Sequence, residues 1–432
     1  MRLTHSSPTL ISSALLFTIF LRTINATTPS FHWNDPQSDG SGDTPQVLTG
    51  LENLLRHHTD LLREKNIGIV TNHTGVDQNG IPIWKRISEV QGANVQVLFS
   101  PEHGLFGEAA AGEKVNYEDS GKTEYRYYSL YGSMIKPTPE SLEGIDLLIY
   151  DIQDIGTRSY TFITTLGLIL EAAGEAGLPI LVLDRPNPLT GVKIDGPALN
   201  IDYRSFVGFY PIPMRYGLTP GELAKMMIDK GWIEIKPLLK VIPLISWNRD
   251  NWYDETNLNW IKPSPNIPNL TTAIVYPGTV FLEATNISEG RGTDRPFLCL
   301  GAPWIDGNLF SREMNKKNLP GVLFGPVQFT PEHLPGIANN PKYEGIKCQG
   351  IEISLIDRNS FKSVETGITI LITVNELYPN RLKVRTEQLN RLVGSDLVSR
   401  GLQNNWSVSQ IISEYQNDIE KFFHLREKYL LY

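Results

Sequence analysis

The chain has 432 residues, more than one hydrophobic core usually supports, so two domains are expected. With 41% hydrophobic and 20% charged residues it is an ordinary globular composition, neither disordered nor fibrous. A formal charge of −8 supplies no basic face for neutralising phosphates and argues against nucleic-acid binding. It also gives no long-range attraction for an acidic ligand, so carboxylate recognition would have to come from individual arginines.

At the N-terminus, Arg2 and His5 precede the apolar run Leu10 to Leu21, and small residues follow at Ala26. A run of that length fits the core of a signal peptide (residues 1–26), with an uncleaved signal anchor as the alternative. The expected location is therefore secreted or periplasmic, with no membrane attachment once the signal is removed. Residues 27–46, rich in Ser, Thr, Pro, Asp and Gly, read as a disordered lead-in.

Four short apolar runs then end in polar clusters. Ile67 to Thr71 leads into Asn72-His73-Thr74-Gly75, and Val95 to Ser100 into Pro101-Glu102-His103-Gly104. Asp146 to Tyr150 leads into Asp151, Asp154 and Arg158, and Pro179 to Leu183 into Asp184-Arg185-Pro186-Asn187. Continuous apolar runs bounded by turn residues are the pattern of strands buried on both faces. Ser159 to Gly177 has apolar residues at helical spacing, so strand, helix and strand alternate, which predicts an α/β fold with a helix-covered parallel sheet. Ligands of such sheets bind beyond the carboxyl ends of the strands, where all four clusters would gather.

Leu218 to Lys230 opens with Thr219 and Pro220, a helix-start pattern, and Leu239 to Ile245 reads as a further strand. The first domain is expected over 47–250. Residues 251–268 lie in a Trp/Pro/Asn-rich stretch of little periodicity, read as a linker and cleft-lining segment whose Trp247, Trp252, Tyr253 and Trp260 could stack on sugar rings. A smaller α+β C-terminal domain follows over 269–432, with strands at Ala273 to Leu282 and Gly350 to Asp357 and helices at Ser363 to Leu377 and Trp406 to Glu427. Cys299 and Cys348 either pair or stay as buried thiols, and no Cys or His cluster points to a metal. No cofactor is expected: no Gly-x-Gly-x-x-Gly or Walker loop is present, nor a Gly-x-Ser-x-Gly elbow.

One further loop, Asn286 to Phe297, sets Glu289 and Arg291 among Gly290 and Gly292, residues that let the main chain approach a ligand closely. Together with Asn72-His-Thr-Gly, Ser100-Pro-Glu-His-Gly-Leu-Phe-Gly107, Tyr150-Asp-Ile-Gln-Asp-Ile-Gly-Thr-Arg-Ser-Tyr160 and Leu183-Asp-Arg-Pro-Asn-Pro188, the Glu289-Gly-Arg-Gly-Thr-Asp-Arg-Pro296 segment resembles the exo-β-N-acetylmuramidases of NamZ type. The likeness runs from about Leu48 to the C-terminus. It implies a Rossmann-like N-terminal domain, a smaller C-terminal domain, and hydrolysis of non-reducing terminal N-acetylmuramic acid in a cleft between them. Peptidoglycan fragments would be the partners.

Glycoside hydrolysis needs an acid for the leaving oxygen and a second group to supply or stabilise attack. Glu102 is the first choice for the acid, because it follows a buried strand and apolar Leu105 and Phe106 adjoin it. For the second group Asp151, Glu289 and Glu283 are candidates in that order, with the substrate's 2-acetamido group as a further alternative. The lactyl carboxylate of muramic acid calls for a guanidinium, which Arg158 or Arg291 would supply, while Arg185 buttresses its loop. Asn72, His73, His103, Asp184 and Arg185 itself complete the candidate binding residues. The competing reading is a non-catalytic protein that binds the same sugars.

Overall fold

The computed structural model describes residues 46–110, 112–113 and 124–432. The expected signal segment and nearly all of the lead-in lie outside the described residues.

Six parallel strands make the main sheet: β1 Lys65–Thr71, β2 Ala93–Ser100, β3 Arg126–Ser129, β4 Leu147–Asp151, β5 Ile180–Leu183 and β6 Leu239–Ile242. Their order is β3-β2-β1-β4-β5-β6, the doubly wound arrangement in which strand order reverses between β1 and β4. Neighbouring residues along each strand enter opposite cores. Ile69, Leu98, Ile149 and Leu181 pack on one face, and Val70, Phe99, Tyr150 and Val182 on the other. That double burial is why these strands read as unbroken apolar runs. Helices α1 (Gly50–His57) and α2 (Ile83–Ser88) contribute to the first core, and α3 (Phe162–Ala176) and α4 (Pro220–Asp229) to the second.

The local signals explain the helix ends. Thr219 and Glu222 form a capping box at the start of α4, with Pro220 in its first turn. Gly177 closes α3 at a φ of 66°, a left-handed conformation that glycine adopts without a Cβ clash.

Beyond α4 come α5 (Leu270–Thr279), α6 (Gly307–Lys316), α7 (Ser363–Leu377), α8 (Thr386–Val393), α9 (Leu397–Gln403) and α10 (Val408–Glu427). Three antiparallel strands, β7 (Cys299–Ala302), β8 (Val322–Phe329) and β9 (Cys348–Leu355), are ordered β7-β9-β8. The second core of the parallel sheet continues without interruption through α5 and α7 to Phe324 and Ile351 of this smaller sheet.

The strand expected over Ala273 to Leu282 is instead α5 followed by a 3-10 turn, Val280–Ala284. Thr272 to Thr279 are all buried, so the segment is apolar all round and shows no periodicity to separate helix from strand. Asn269 supplies the N-cap, its side chain accepting from Thr272 N at 2.9 Å. Gly278 lies so close to α7 that an added Cβ would stand 1.9 Å from the Ser363 carbonyl oxygen, so a side chain there would force the two helices apart.

Candidate active site

The parallel register aligns Thr71 with Asp151 and Val70 with Phe99, so the loops after β1, β2, β4 and β5 leave one sheet edge together. The four polar clusters do gather there, but they divide into a supporting frame and a pocket.

The frame is built from Asn72, Asp151, Asp184 and Arg185. Asn72 Oδ1 accepts from Thr74 N (3.0 Å) and Thr74 Oγ1 (2.6 Å), while Thr74 Oγ1 accepts from Gln153 N (3.0 Å), tying the β1 loop to the β4 loop. Asp151 is fully buried and both its oxygens are taken by Arg185, whose Nη2 also donates to the Val76 carbonyl at 3.0 Å. Asp184 accepts from Thr219 Oγ1 (2.7 Å), Gly221 N (2.7 Å) and the C-terminal Tyr432 hydroxyl (2.6 Å). Burial pushes the Asp184 carboxyl up to about 7. Asp154, bonded to Tyr216 and Gly156 N, is pushed up to about 6 for the same reason.

The pocket opens around Glu102. This residue sits in the tight turn after β2, closed by Gly104 N donating to the Pro101 carbonyl at 3.1 Å. His103 and Gly104 are both left-handed, with φ of 72° and 74°. His103 is held in that uncommon conformation by burial and by an Nδ1 hydrogen bond to the Ala109 carbonyl (2.8 Å). Desolvation lowers its pKa, against the opposing pull of Glu102. Glu102 Oε1 accepts from Gly112 N (2.9 Å) and Oε2 from Thr161 Oγ1 (2.9 Å), and the Tyr131 hydroxyl is a third partner. Thr161 precedes α3 and spends its hydroxyl on Glu102 instead of capping its own helix.

Two cavities share Glu102, Thr161 and Val207. The inner one adds His103, Ser264, Tyr276, Glu283, Arg291 and Phe297. The outer one adds Gly112, Tyr131, Ile135 and Phe206. The inner wall thus comes from the far half of the chain. Arg291 Nη2 donates to Glu283 Oε1 at 2.7 Å, its Nε lies 3.6 Å from Glu289 Oε1, and its guanidinium stands 5.0 Å over the Phe297 ring. Burial opposes that charge, but Glu283 and Glu289 outweigh it and raise the Arg291 pKa. Glu289 is in turn bound by Lys342 Nζ at 2.8 Å. The loop needs its glycines: Gly290 has a φ of 79°, and a Cβ there would stand 2.5 Å from the Cys299 carbonyl oxygen.

Several expected residues lie elsewhere. The Arg158 guanidinium is fully buried and donates to the carbonyls of Pro197 (2.8 Å), Ile212 (2.9 Å), Leu392 (3.2 Å) and Val393. It ends α8 instead of facing the pocket, and burial lowers it to about 9. Asp151, first choice for the second group, does not line the pocket, and Glu289 lies behind Arg291. His73 bonds the Lys262 carbonyl through Nε2 (2.7 Å) and packs on Gly107. The aromatic segment reaches the pocket through Ser264 and Ile267, whereas Trp247, Trp252 and Tyr253 are buried in packing. Both cysteines are free, with thiols pushed up by burial to about 12 (Cys299) and about 11 (Cys348).

Tyr131, Thr161 and Tyr276 escaped the sequence reading. Thr161 directly follows the Thr157-Arg-Ser-Tyr160 motif and lines the cavity, whereas the Arg158 side chain turns to backbone carbonyls. Tyr276 was hidden in the segment misread as a strand.

A doubly wound α/β sheet whose edge carries a carboxylate-lined pocket, closed by a loop from a second, smaller sheet region, defines the class of protein. The chain matches the family models of exo-β-N-acetylmuramidase NamZ, the N-terminal one over residues 67–271 and the C-terminal one over 274–432, and it belongs to that family. It is 40% identical over 389 residues to the peptidoglycan β-N-acetylmuramidase NamZ of Bacillus subtilis strain 168, covering 90% of this chain and 92% of the relative. Two crystal structures of DUF1343 family proteins from Bacteroides fragilis NCTC 9343 share the fold. One has a TM-score of 0.82 at 34% identity, the other 0.74 at 32%, each covering 90% of this chain and 99% of its own.

Proposed function

We propose that this protein hydrolyses the glycosidic bond of a non-reducing terminal N-acetylmuramic acid in peptidoglycan-derived oligosaccharides, with Glu102 as the general acid. The observation that carries the reading is the meeting of Glu102 and Arg291 in one cavity, a proton donor opposite a cation that suits a sugar bearing a carboxylate. The kinship with a peptidoglycan β-N-acetylmuramidase over nine tenths of the chain supports the same substrate class.

Arg291 uses Nη2 on Glu283 and turns Nε toward Glu289, while Nη1 carries no hydrogen bond among the described residues. That nitrogen is the one available to a lactyl carboxylate. Glu102 is aimed by Thr161 and Gly112, so its position does not depend on the substrate. The inner cavity is walled by the buried Tyr276 and Phe297, and a terminal mode of attack would have a sugar end there.

Digesting a defined oligosaccharide with muramic acid at its non-reducing end tests the proposal. Single N-acetylmuramic acid units should be released first. Early internal fragments would refute the terminal mode, and binding without release would leave the protein a lectin.

A further inference from the structure

Resting on that hydrolytic reading, the second chemical group of the reaction can be assigned. We propose that Glu283 is the carboxylate that works opposite Glu102, taking the proton of the water that attacks the anomeric carbon.

The carboxylates at this edge differ in what already occupies them. Asp151 has both oxygens on Arg185 and no surface exposure. Asp184 serves Thr219, Gly221 and Tyr432, and Asp154 serves Tyr216 and Gly156. Glu289 is shared between Lys342 and Arg291. Glu283 alone among these lines the same cavity as Glu102, and its side chain keeps 24% of its accessible surface. Its Oε1 is held by Arg291, and Oε2 has no hydrogen-bond partner among the described residues.

The surrounding charges read as a support for this one group. Lys342, Glu289, Arg291 and Glu283 alternate in sign along contacts of 2.8, 3.6 and 2.7 Å, ending at the cavity. Lys342 Nζ also donates to the Leu282 carbonyl, beside Glu283 in the chain, at 2.7 Å. Both ends of the relay are therefore tied to the turn that carries Glu283. In this arrangement Glu289 acts as a positioning residue, and Arg291 holds Glu283 through Nη2 while Nη1 stays free of hydrogen bonds among the described residues.

The step balances simply. Glu102 gives its proton to the glycosidic oxygen as the anomeric C–O bond breaks. Water adds its oxygen to that carbon and passes a proton to Glu283. The products are the free sugar and the shortened oligosaccharide, and exchange with solvent resets both carboxyls.

The test compares wild type, Glu102→Gln, Glu283→Gln and Glu283→Ala on an activated aryl β-glycoside of N-acetylmuramic acid and on a disaccharide with a poor leaving group. Loss of an acid is masked by a good leaving group, whereas loss of a base is not. The assignment expects Glu102→Gln to fail mainly on the disaccharide. It expects both Glu283 variants to lose at least ~10²-fold on both substrates. Sodium azide should restore Glu283→Ala on the aryl glycoside by forming the α-glycosyl azide, and proton NMR of the wild type should show the α-anomer first. Thermal melts and N-acetylmuramic acid binding by Glu283→Gln separate chemistry from folding. Near-wild-type turnover in Glu283→Ala, absence of azide rescue, or a β-anomer formed first would overturn the role of Glu283 and leave the hydrolase reading standing. A wild-type protein inert on both substrates would overturn that reading, and this assignment with it.

Discussion

Replacing Arg158 by alanine separates a structural arginine from a substrate-reading one. Its guanidinium serves four buried carbonyls, those of Pro197 and Ile212 on one side and Leu392 and Val393 at the end of α8 on the other. The Ile212 carbonyl also accepts from Leu199 N at 3.1 Å and keeps that partner. A buried acceptor stripped of its partner costs about 1–3 kcal/mol, so the other three cost at least ~3 kcal/mol at the low end of that range. The cavity left by the side chain adds to this, and relief from burying a charge offsets part of it, so ~3 kcal/mol is the working figure. For a folded unit of roughly 390 residues, an unfolding entropy of about 2.1 cal/mol/K per residue gives about 0.8 kcal/mol/K. The melting temperature should therefore fall by about 4 °C. Arg158→Lys should recover little, because one ammonium cannot reach both pairs of carbonyls. Differential scanning calorimetry reads the melting temperature. Kinetics well below the transition then compare muramic with glucosamine glycosides, and the discrimination should survive. An unchanged melting temperature together with lost discrimination would refute this placement of Arg158.

Three other outcomes follow from the site. Glu102→Gln should keep sugar affinity while turnover on oligosaccharide falls at least ~10²-fold, and wild-type rates would remove Glu102 as the acid. Arg291→Ala should narrow the preference for muramic over glucosamine glycosides, and an undiminished preference would mean that another group reads the lactyl carboxylate. Asp184, held near 7 by burial against an ordinary 3.8, keeps a proton in the folded state that the unfolded chain has released. Its contribution to stability is therefore complete at low pH and lost as pH rises through about 7. Melting curves of wild type and Asp184→Asn should diverge in the variant's favour between acid and neutral pH, and a constant gap would show that Asp184 does not titrate there.

Local sequence decided the parallel sheet, because strands buried on both faces must be apolar without interruption, as Ile67 to Val70 and Leu147 to Tyr150 are. It also determined the start of α4 through Thr219, Pro220 and Glu222, and the end of α3 through Gly177, since caps and left-handed turns act within a few residues. The gathering of four loops at one edge followed from parallel strands alone. Which side chains those loops turn toward the cavity did not. Asp151 and Glu102 look alike in sequence, each a carboxylate near the end of a buried strand. Arg185, just beyond the next strand of the chain, consumes the first, while Thr161 and Gly112 aim the second. Arg158 and Arg291 each follow a glycine turn, and only the packing of α8, more than 200 residues after Arg158, draws it out of the site. Glu283 sits in an apolar run with no local mark of function, and it lines the cavity of Glu102 because α5 and α7 pack against the parallel sheet's own core. Long-range packing and hydrogen bonding decide these assignments, and neither leaves a periodic trace in the chain.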